Sequence, residues 1–269
     1  MKIKMSSPDI NEADKKAVLE VLDSRWLSMG PKVNEFEEKF AEYTGVKHAV
    51  AVNSGTSGLY LANRAVDNDI TWSSIRYTTP FSFVSSATTI PGHVHFHDIC
   101  DKTLNLDYLP VHVDHVVAVD IFGQPFDRDR YWRHKGVIVE DACEAIGAEY
   151  KGRKAGTLGD ISVFAFYPNK QMTCGEGGMI CTDNDRWAEL CRSWRNQVRI
   201  GYNYRMDEMS AALGLSQLSR IEELLEKREQ VAHWYTERLK DRIELLYISH
   251  NTTRMSWFVY PVFTDNRED

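Results

Sequence analysis

HAVAVNSGTSGLYLANRAV, residues 48 to 66, starts as a short apolar run, turns through Ser-Gly-Thr-Ser-Gly and continues with apolar residues at helical spacing. It reads as a buried strand feeding a helix. The alternation continues through SIRYTT, HVHFHD, HVVAVD, GVIVED, ISVFAF and GGMICT, strand-like runs separated by turn residues or by helical stretches such as FVSSATTI and RWAELCRSW. Strands alternating with helices predict an α/β protein with a largely parallel sheet flanked by helices. Before this unit, residues 11–23 and 33–45 carry the spacing of two amphipathic helices, the second stopping at Gly45. After it, from Met206, SAALGLSQLSRIEELLEKREQVAHWYTERLKD predicts a connecting helix or helix pair. IELLYIS and MSWFVYPVF then predict two strands of a new unit that stops at Asp269 before it buries a core. The expected division is a large domain over 1–218, then a connecting helix and the start of a small C-terminal α/β domain over 219–269.

The 269 residues are ample for a buried core, and 43% hydrophobic, 26% charged and 11% aromatic residues argue against disorder, collagen-like repeats and disulfide scaffolds. A net charge of -7 without a Lys/Arg run gives no footprint for nucleic acid, so no such partner is expected. The start, MKIKMSSPDINEADKK, lacks the apolar region of a signal peptide, and no apolar run reaches the length of a membrane span, which predicts a cytoplasmic protein with no membrane partner. Cys100, Cys143, Cys174, Cys181 and Cys191 form an odd set with no C-x-x-C pair, favouring reduced thiols over disulfides or zinc. Cys174, next to the lysine loop described below, reads first as a small filler beside glycine.

Three features carry chemistry. A strand running into Ser-Gly-Thr-Ser-Gly and a helix leaves backbone N–H groups and hydroxyls at a helix N-terminus, where an anion such as phosphate binds. A capped turn without ligand reads equally well. Asp141 closes the strand GVIVED, at the carboxyl end where α/β ligands bind, although an Asp there also serves as a helix N-cap. Lys170 lies between the apolar FAFYP and the glycine cluster CGEGG, and lysine is rarely buried. Desolvation favours its neutral, nucleophilic form. Together they suggest pyridoxal phosphate, with its aldehyde on lysine, pyridinium on carboxylate and phosphate on the helix N-terminus. His93, His95 and His97 alternate onto one strand face, but without further ligands at suitable spacing no metal site is expected. His112 and His115 read as solvated residues of a polar connection.

The chain resembles the DegT/DnrJ/EryC1/StrS family of sugar aminotransferases along nearly its whole length. The resemblance lies in WLSMGPKVNEFEEKFAEYTGVKHAVAVNSGTSGL, TTPFSFVSSATTI, FGQPFD, VEDACEAIGAEYKGRKAGTLGDISVFAFYPNK, GEGGMICTD and GYNYRMDEMSAALGLSQL. It implies a type I, aspartate-aminotransferase-like fold and pyridoxal 5'-phosphate as cofactor. The activity it implies is amino transfer from L-glutamate to a nucleotide-linked keto-6-deoxy sugar, at the 4-position by the tilt of the Glu discussed next. By the same resemblance Lys170 matches the Schiff-base lysine, Asp141 the carboxylate on the pyridine nitrogen, and Phe83 the aromatic stacked on the ring. Gly55, Thr56 and Ser57 match the phosphate turn. Asn203 matches an asparagine that reaches the neighbouring subunit's phosphate, implying a homodimer with active sites at its interface. Glu144 stands where many members have Gln, near the cofactor's phenolic oxygen, so it is expected protonated, turned away or paired. Some members that aminate the 4-position share this Glu. Ala165 replaces a Ser, removing one hydroxyl from the phosphate site. Trp194, Arg195 and Asn196 resemble a segment lining the substrate approach, with core and surface roles both open. Alternatives are a dehydratase on the same fold, which relatives build with His in place of the lysine, and a non-catalytic binding or regulatory protein. A dinucleotide-binding oxidoreductase is disfavoured because SGTSG lacks G-x-G-x-x-G spacing.

Overall fold

A computed structural model describes residues 7–69, 75–79, 93–107, 114–131, 136–197 and 202–264. The two expected N-terminal helices form as α1 (Glu12–Ser24) and α2 (Pro31–Thr44). Asn11 and Asp14 close a capping box at the start of α1. The N-cap of α2 is Gly30, which offers no side chain. Instead the buried Glu208, far along the chain, accepts the N–H groups of Gly30, Lys32 and Val33 at 2.8, 2.8 and 2.9 Å.

The strand-turn-helix reading of residues 48–66 gives β1 (His48–Val52) and α3 (Gly55–Asp67). There follow β2 (Ile75–Thr78), β3 (His93–Phe96), β4 (His115–Val119), β5 (Val137–Asp141), the short pair β6 (Glu149–Tyr150) and β7 (Arg153–Lys154), β8 (Ile161–Ala165) and β9 (Gly178–Thr182). Seven of these make one sheet in the order β1-β9-β8-β5-β4-β2-β3. The run β8-β5-β4-β2-β3 is parallel, and β9 lies antiparallel between β8 and β1. Helices α4 (Asp185–Arg195), α5 (Glu208–Leu218) and α6 (Ile221–Leu239) follow.

Side chains alternate across the sheet with period two, which sorts the core into faces. Ala49, Ala51, Phe164, Met179 and Cys181 join Phe36 and Phe40 of α2 and Leu224 and Leu225 of α6 on one side. Val50, Val52, Val163 and Ile180 meet Leu59 and Leu61 of α3 and Trp187 of α4 on the other. Strands buried on both faces need continuous apolar runs, the pattern of HAVAV and HVVAV.

Some expectations are corrected. His115 is not solvated: it opens β4 fully buried, its Nδ1 3.5 Å from Asp67 Oδ1. His112, Phe83 and FVSSATTI lie outside the described residues. Of the two C-terminal strand runs only fragments form: β10 (Glu244–Leu245) and β12 (Val262–Phe263) pair with each other. Between them β11 (Thr252–Arg254) adds to β6 in a three-stranded sheet with β7. The run MSWFVYPVF is interrupted because Trp257 adopts a left-handed backbone, φ 52°. Among the described residues no helix is long and apolar enough to cross a membrane.

Candidate active site

The carboxyl ends of β1, β5 and β8 converge with the N-terminus of α3 on a cavity of about 460 Å³. Gly55, Thr56, Cys143, Glu144, Asn169 and Lys170 line it, with Phe258 on one side. Lys170 sits in a loop tied at its base by Phe166 N–H to the Gly177 carbonyl and Cys174 N–H to the Phe166 carbonyl. Only 9% of the residue is exposed. Its Nζ lies 3.6 Å from Glu144 Oε1 and 4.1 Å from the centre of the Phe258 ring. The amine is buried, as its flanking residues predict, and it lies within ion-pair reach of the Glu144 carboxylate. Glu144 Oε2 also accepts the Phe122 N–H at 2.9 Å. Burial raises the Glu144 pKa, and the Lys170 charge opposes that rise.

Asp141 is 3% exposed at the end of β5. Burial raises its pKa, while the Lys170 charge pulls it back. It is not a helix N-cap, because turns and not a helix follow it; its Oδ1 accepts the Cys143 N–H at 3.2 Å. A buried carboxylate next to a cavity is completed by a cationic N–H from a bound group.

At the anion end, Ser54 caps α3 through the Ser57 N–H, and the N–H groups of Gly55 and Thr56 have no intrahelical partner. The fit around Gly55 is close: a Cβ there would come within 2.7 Å of Ala165 Cβ and 3.0 Å of Cys143 Sγ. Gly55 and Thr56 face the cavity, whereas the Ser57 hydroxyl donates to Asn53 Oδ1 at 2.7 Å. Asn169 Oδ1 is buried with no hydrogen-bond partner among the described residues. The amine and the helix N-terminus line one cavity, and the buried Asp141 lies behind its wall, two residues before the lining Cys143; this set suits a ligand bearing an aldehyde, a basic ring nitrogen and a phosphate.

Asn203 lies apart from this wall, exposed; its carbonyl accepts from Asn53 Nδ2 at 3.3 Å. Arg195 and Trp194 take core roles: Arg195 NH1 donates to Glu37 Oε1 at 2.5 Å and the Ala51 carbonyl at 2.8 Å, and the Arg64 guanidinium covers the Trp194 ring. Cys174 is buried and its thiol pKa is driven up by burial, the state of an inert filler. His95 and His97 pack on Tyr77, and no metal-holding group of three His, Cys, Asp or Glu occurs among the described residues. Phe258, Asn169 and Arg228 were not singled out from sequence. SWFVYP carries strand composition, and nothing local shows that it folds back against the lysine.

Residues 8–269 match the sequence model of the DegT/DnrJ/EryC1/StrS aminotransferase family. The chain belongs to that family. Among DegT/DnrJ/EryC1/StrS relatives, the GDP-perosamine synthase of Caulobacter vibrioides is 36% identical over 263 residues, spanning 88% of this chain and 70% of that protein. The spore coat polysaccharide biosynthesis protein SpsC of Bacillus subtilis is 35% identical, over 98% of this chain and 76% of its own length. The solved structure of Helicobacter pylori PseC, an aminotransferase involved in the biosynthesis of pseudoaminic acid, superposes with a TM-score of 0.90 at 30% identity, covering 97% of this chain and 77% of that one. The fold is the type I fold of these family aminotransferases, with the mostly parallel sheet expected from sequence.

Proposed function

We propose that this chain transfers an amino group from L-glutamate to the 4-position of a nucleotide-linked keto-6-deoxy sugar. Family membership makes it a sugar aminotransferase that uses pyridoxal phosphate. The observation that carries the reading is a buried lysine facing a cavity shared with a helix N-terminus, with a buried Asp at the end of the adjoining strand. The GDP-perosamine synthase relative supports the nucleotide-sugar class. Lys170 itself disfavours a dehydratase.

When bound, the cofactor supplies an aldehyde that takes up the amino group and a ring that accepts electron density. Lys170 would hold it, Asp141 would keep the ring nitrogen protonated, and the first turn of α3 would receive the phosphate at Gly55 and Thr56, with Ser57 holding the turn in shape through its bond to Asn53. Phe83 would stack on the ring. Lys170 would also act as the general base that moves the donor's α-proton. Glu144, fixed by the Phe122 N–H, stays close enough to pair with the Lys170 ammonium while that proton is held. The exposed side chain of Asn203 is free of the cavity wall and suits a phosphate contact in a neighbouring subunit, so we also propose a cytoplasmic homodimer. Residues 219–269 are proposed to begin a small second domain, since β10 and β12 pair outside the central sheet.

The test supplies purified protein with pyridoxal phosphate, nitrogen-labelled L-glutamate and nucleotide-linked 4-keto-6-deoxy sugars. Labelled nitrogen at the sugar's fourth carbon supports the reading. Formation of 2-oxoglutarate without an aminated sugar overturns the acceptor, and no 2-oxoglutarate overturns the donor.

A further inference from the structure

Arg228 lies on α6, whose Leu224 and Leu225 are anchored in the core. Its NH1 donates to the carbonyls of Trp257 and Phe258, each at 3.1 Å, and its NH2 to those of Asn169 at 3.3 Å and Lys170 at 2.8 Å. Burial lowers the Arg228 pKa, and among the described residues the guanidinium makes no ion pair. A guanidinium without an ion pair is a costly way to hold a loop unless its planar fork matters, because that fork can bridge acceptors on two segments at once. The two segments are the ones that meet at the amine. One bears Lys170, and the other bears Phe258, whose ring centre lies 4.1 Å from Lys170 Nζ. Both residues also line a second hollow of about 340 Å³, to which Arg228 contributes as well. The Phe258 ring therefore stands where the cofactor cavity and this hollow adjoin.

We infer that Arg228 is a positioning residue for Lys170: by fixing the lysine loop and the Phe258 segment in one register, it holds the Phe258 ring against Nζ and keeps the amine turned into the cofactor cavity. The inference rests on the reading of Lys170 as the lysine that carries the cofactor. Without the fork, the carbonyls of Lys170 and Phe258 lose their common donor, and the long lysine side chain gains room toward the second hollow. A misplacement of roughly 1 Å in a reacting group is enough to slow reaction on the order of a hundredfold.

The experiment uses the full chain with pyridoxal phosphate and compares wild type, Arg228→Lys, Phe258→Leu and Lys170→Ala. The readouts are the rate of covalent cofactor capture by stopped-flow visible absorbance, kcat and KM for the L-glutamate half-reaction, and thermal midpoint. Arg228→Lys keeps the charge and loses the fork. It is expected to slow capture and kcat by about tenfold or more while KM for glutamate stays within roughly a factor of three. Phe258→Leu, which leaves the carbonyls in place, is expected to slow capture in the same direction. Arg228→Lys with wild-type capture and kcat, or with a lowered thermal midpoint alone, overturns the inference. If Arg228→Lys does not fold, wild-type capture by Phe258→Leu overturns it instead. A visible band that survives in Lys170→Ala would refute the underlying reading of the lysine, which separates that failure from a failure of Arg228.

Discussion

Gly55→Ala tests how closely the start of α3 is fitted to the end of β8. The new methyl carbon would lie 2.7 Å from Ala165 Cβ and 3.0 Å from Cys143 Sγ. Carbon atoms prefer about 3.5–4.0 Å, so something must retreat by roughly 1 Å. Ala165 cannot readily give way, because it closes β8 paired with Gly178 of β9. The helix start must move, at a cost of about 1–3 kcal/mol in stability. Since that helix start is also the proposed phosphate site, cofactor affinity should fall by about tenfold or more, tenfold being about 1.4 kcal/mol. The compensating change is Ala165→Gly, which removes the nearer contact and by itself costs about 0.5–1 kcal/mol as a strand glycine. The double variant should recover about 1–2 kcal/mol relative to the sum of the single changes, the residual loss reflecting the Cys143 contact. Urea denaturation of the four proteins, with titration of the visible cofactor band, measures both quantities. Additivity within about 0.5 kcal/mol, or wild-type cofactor affinity in Gly55→Ala, would refute the packing argument.

Other consequences follow from the buried carboxylates. Glu208→Ala strips three backbone N–H groups at the start of α2 of their acceptor, and should cost about 2–4 kcal/mol in chemical denaturation; a loss below about 1 kcal/mol would contradict the capping role. Asp141→Ala should leave cofactor capture intact but slow the glutamate half-reaction by about 10²–10³, measured in single turnover, and an unchanged rate would remove Asp141 from the mechanism. The buried pair Asp120 and Glu140 gives a pH dependence: burial raises both pKa values, and the Glu140 charge adds to the rise of Asp120. A folded state that holds protons the unfolded chain releases has its full stabilisation below the ordinary carboxylate range and loses it as pH rises through the raised folded values. Denaturation at a series of pH values should show that decline, and Asp120→Asn, still able to donate to Glu140, should flatten it. Equal slopes in both proteins would exclude the pair as its source.

Legibility in the sequence followed the range of the contacts. The unit from His48 to Val66 was readable because strand run, turn chemistry and helical spacing are all local. Lys170 was readable because its flanking residues leave little solvent around it. The expectation for His115 fails because it weighs the polar His112 and Asp114 before it, whereas its burial follows from Asp67 and from the strands beside the apolar run that it opens. The capping of α2 by Glu208 spans 178 residues at its longest bond, beyond any local pattern. The contacts of Glu144, to the Phe122 N–H and Lys170 Nζ, likewise join residues 22 and 26 positions away in the chain. Phe258 shows the same limit, since strand-like composition in SWFVYP hides a left-handed turn at Trp257 that brings the ring onto the lysine.

The most direct test of the central claim is reductive trapping of bound pyridoxal phosphate followed by peptide mass spectrometry. A single stable adduct on Lys170, absent from folded Lys170→Ala, is the predicted result. An adduct on another lysine, or no adduct on a folded chain, would contradict the assignment of this buried amine as the residue that carries the cofactor.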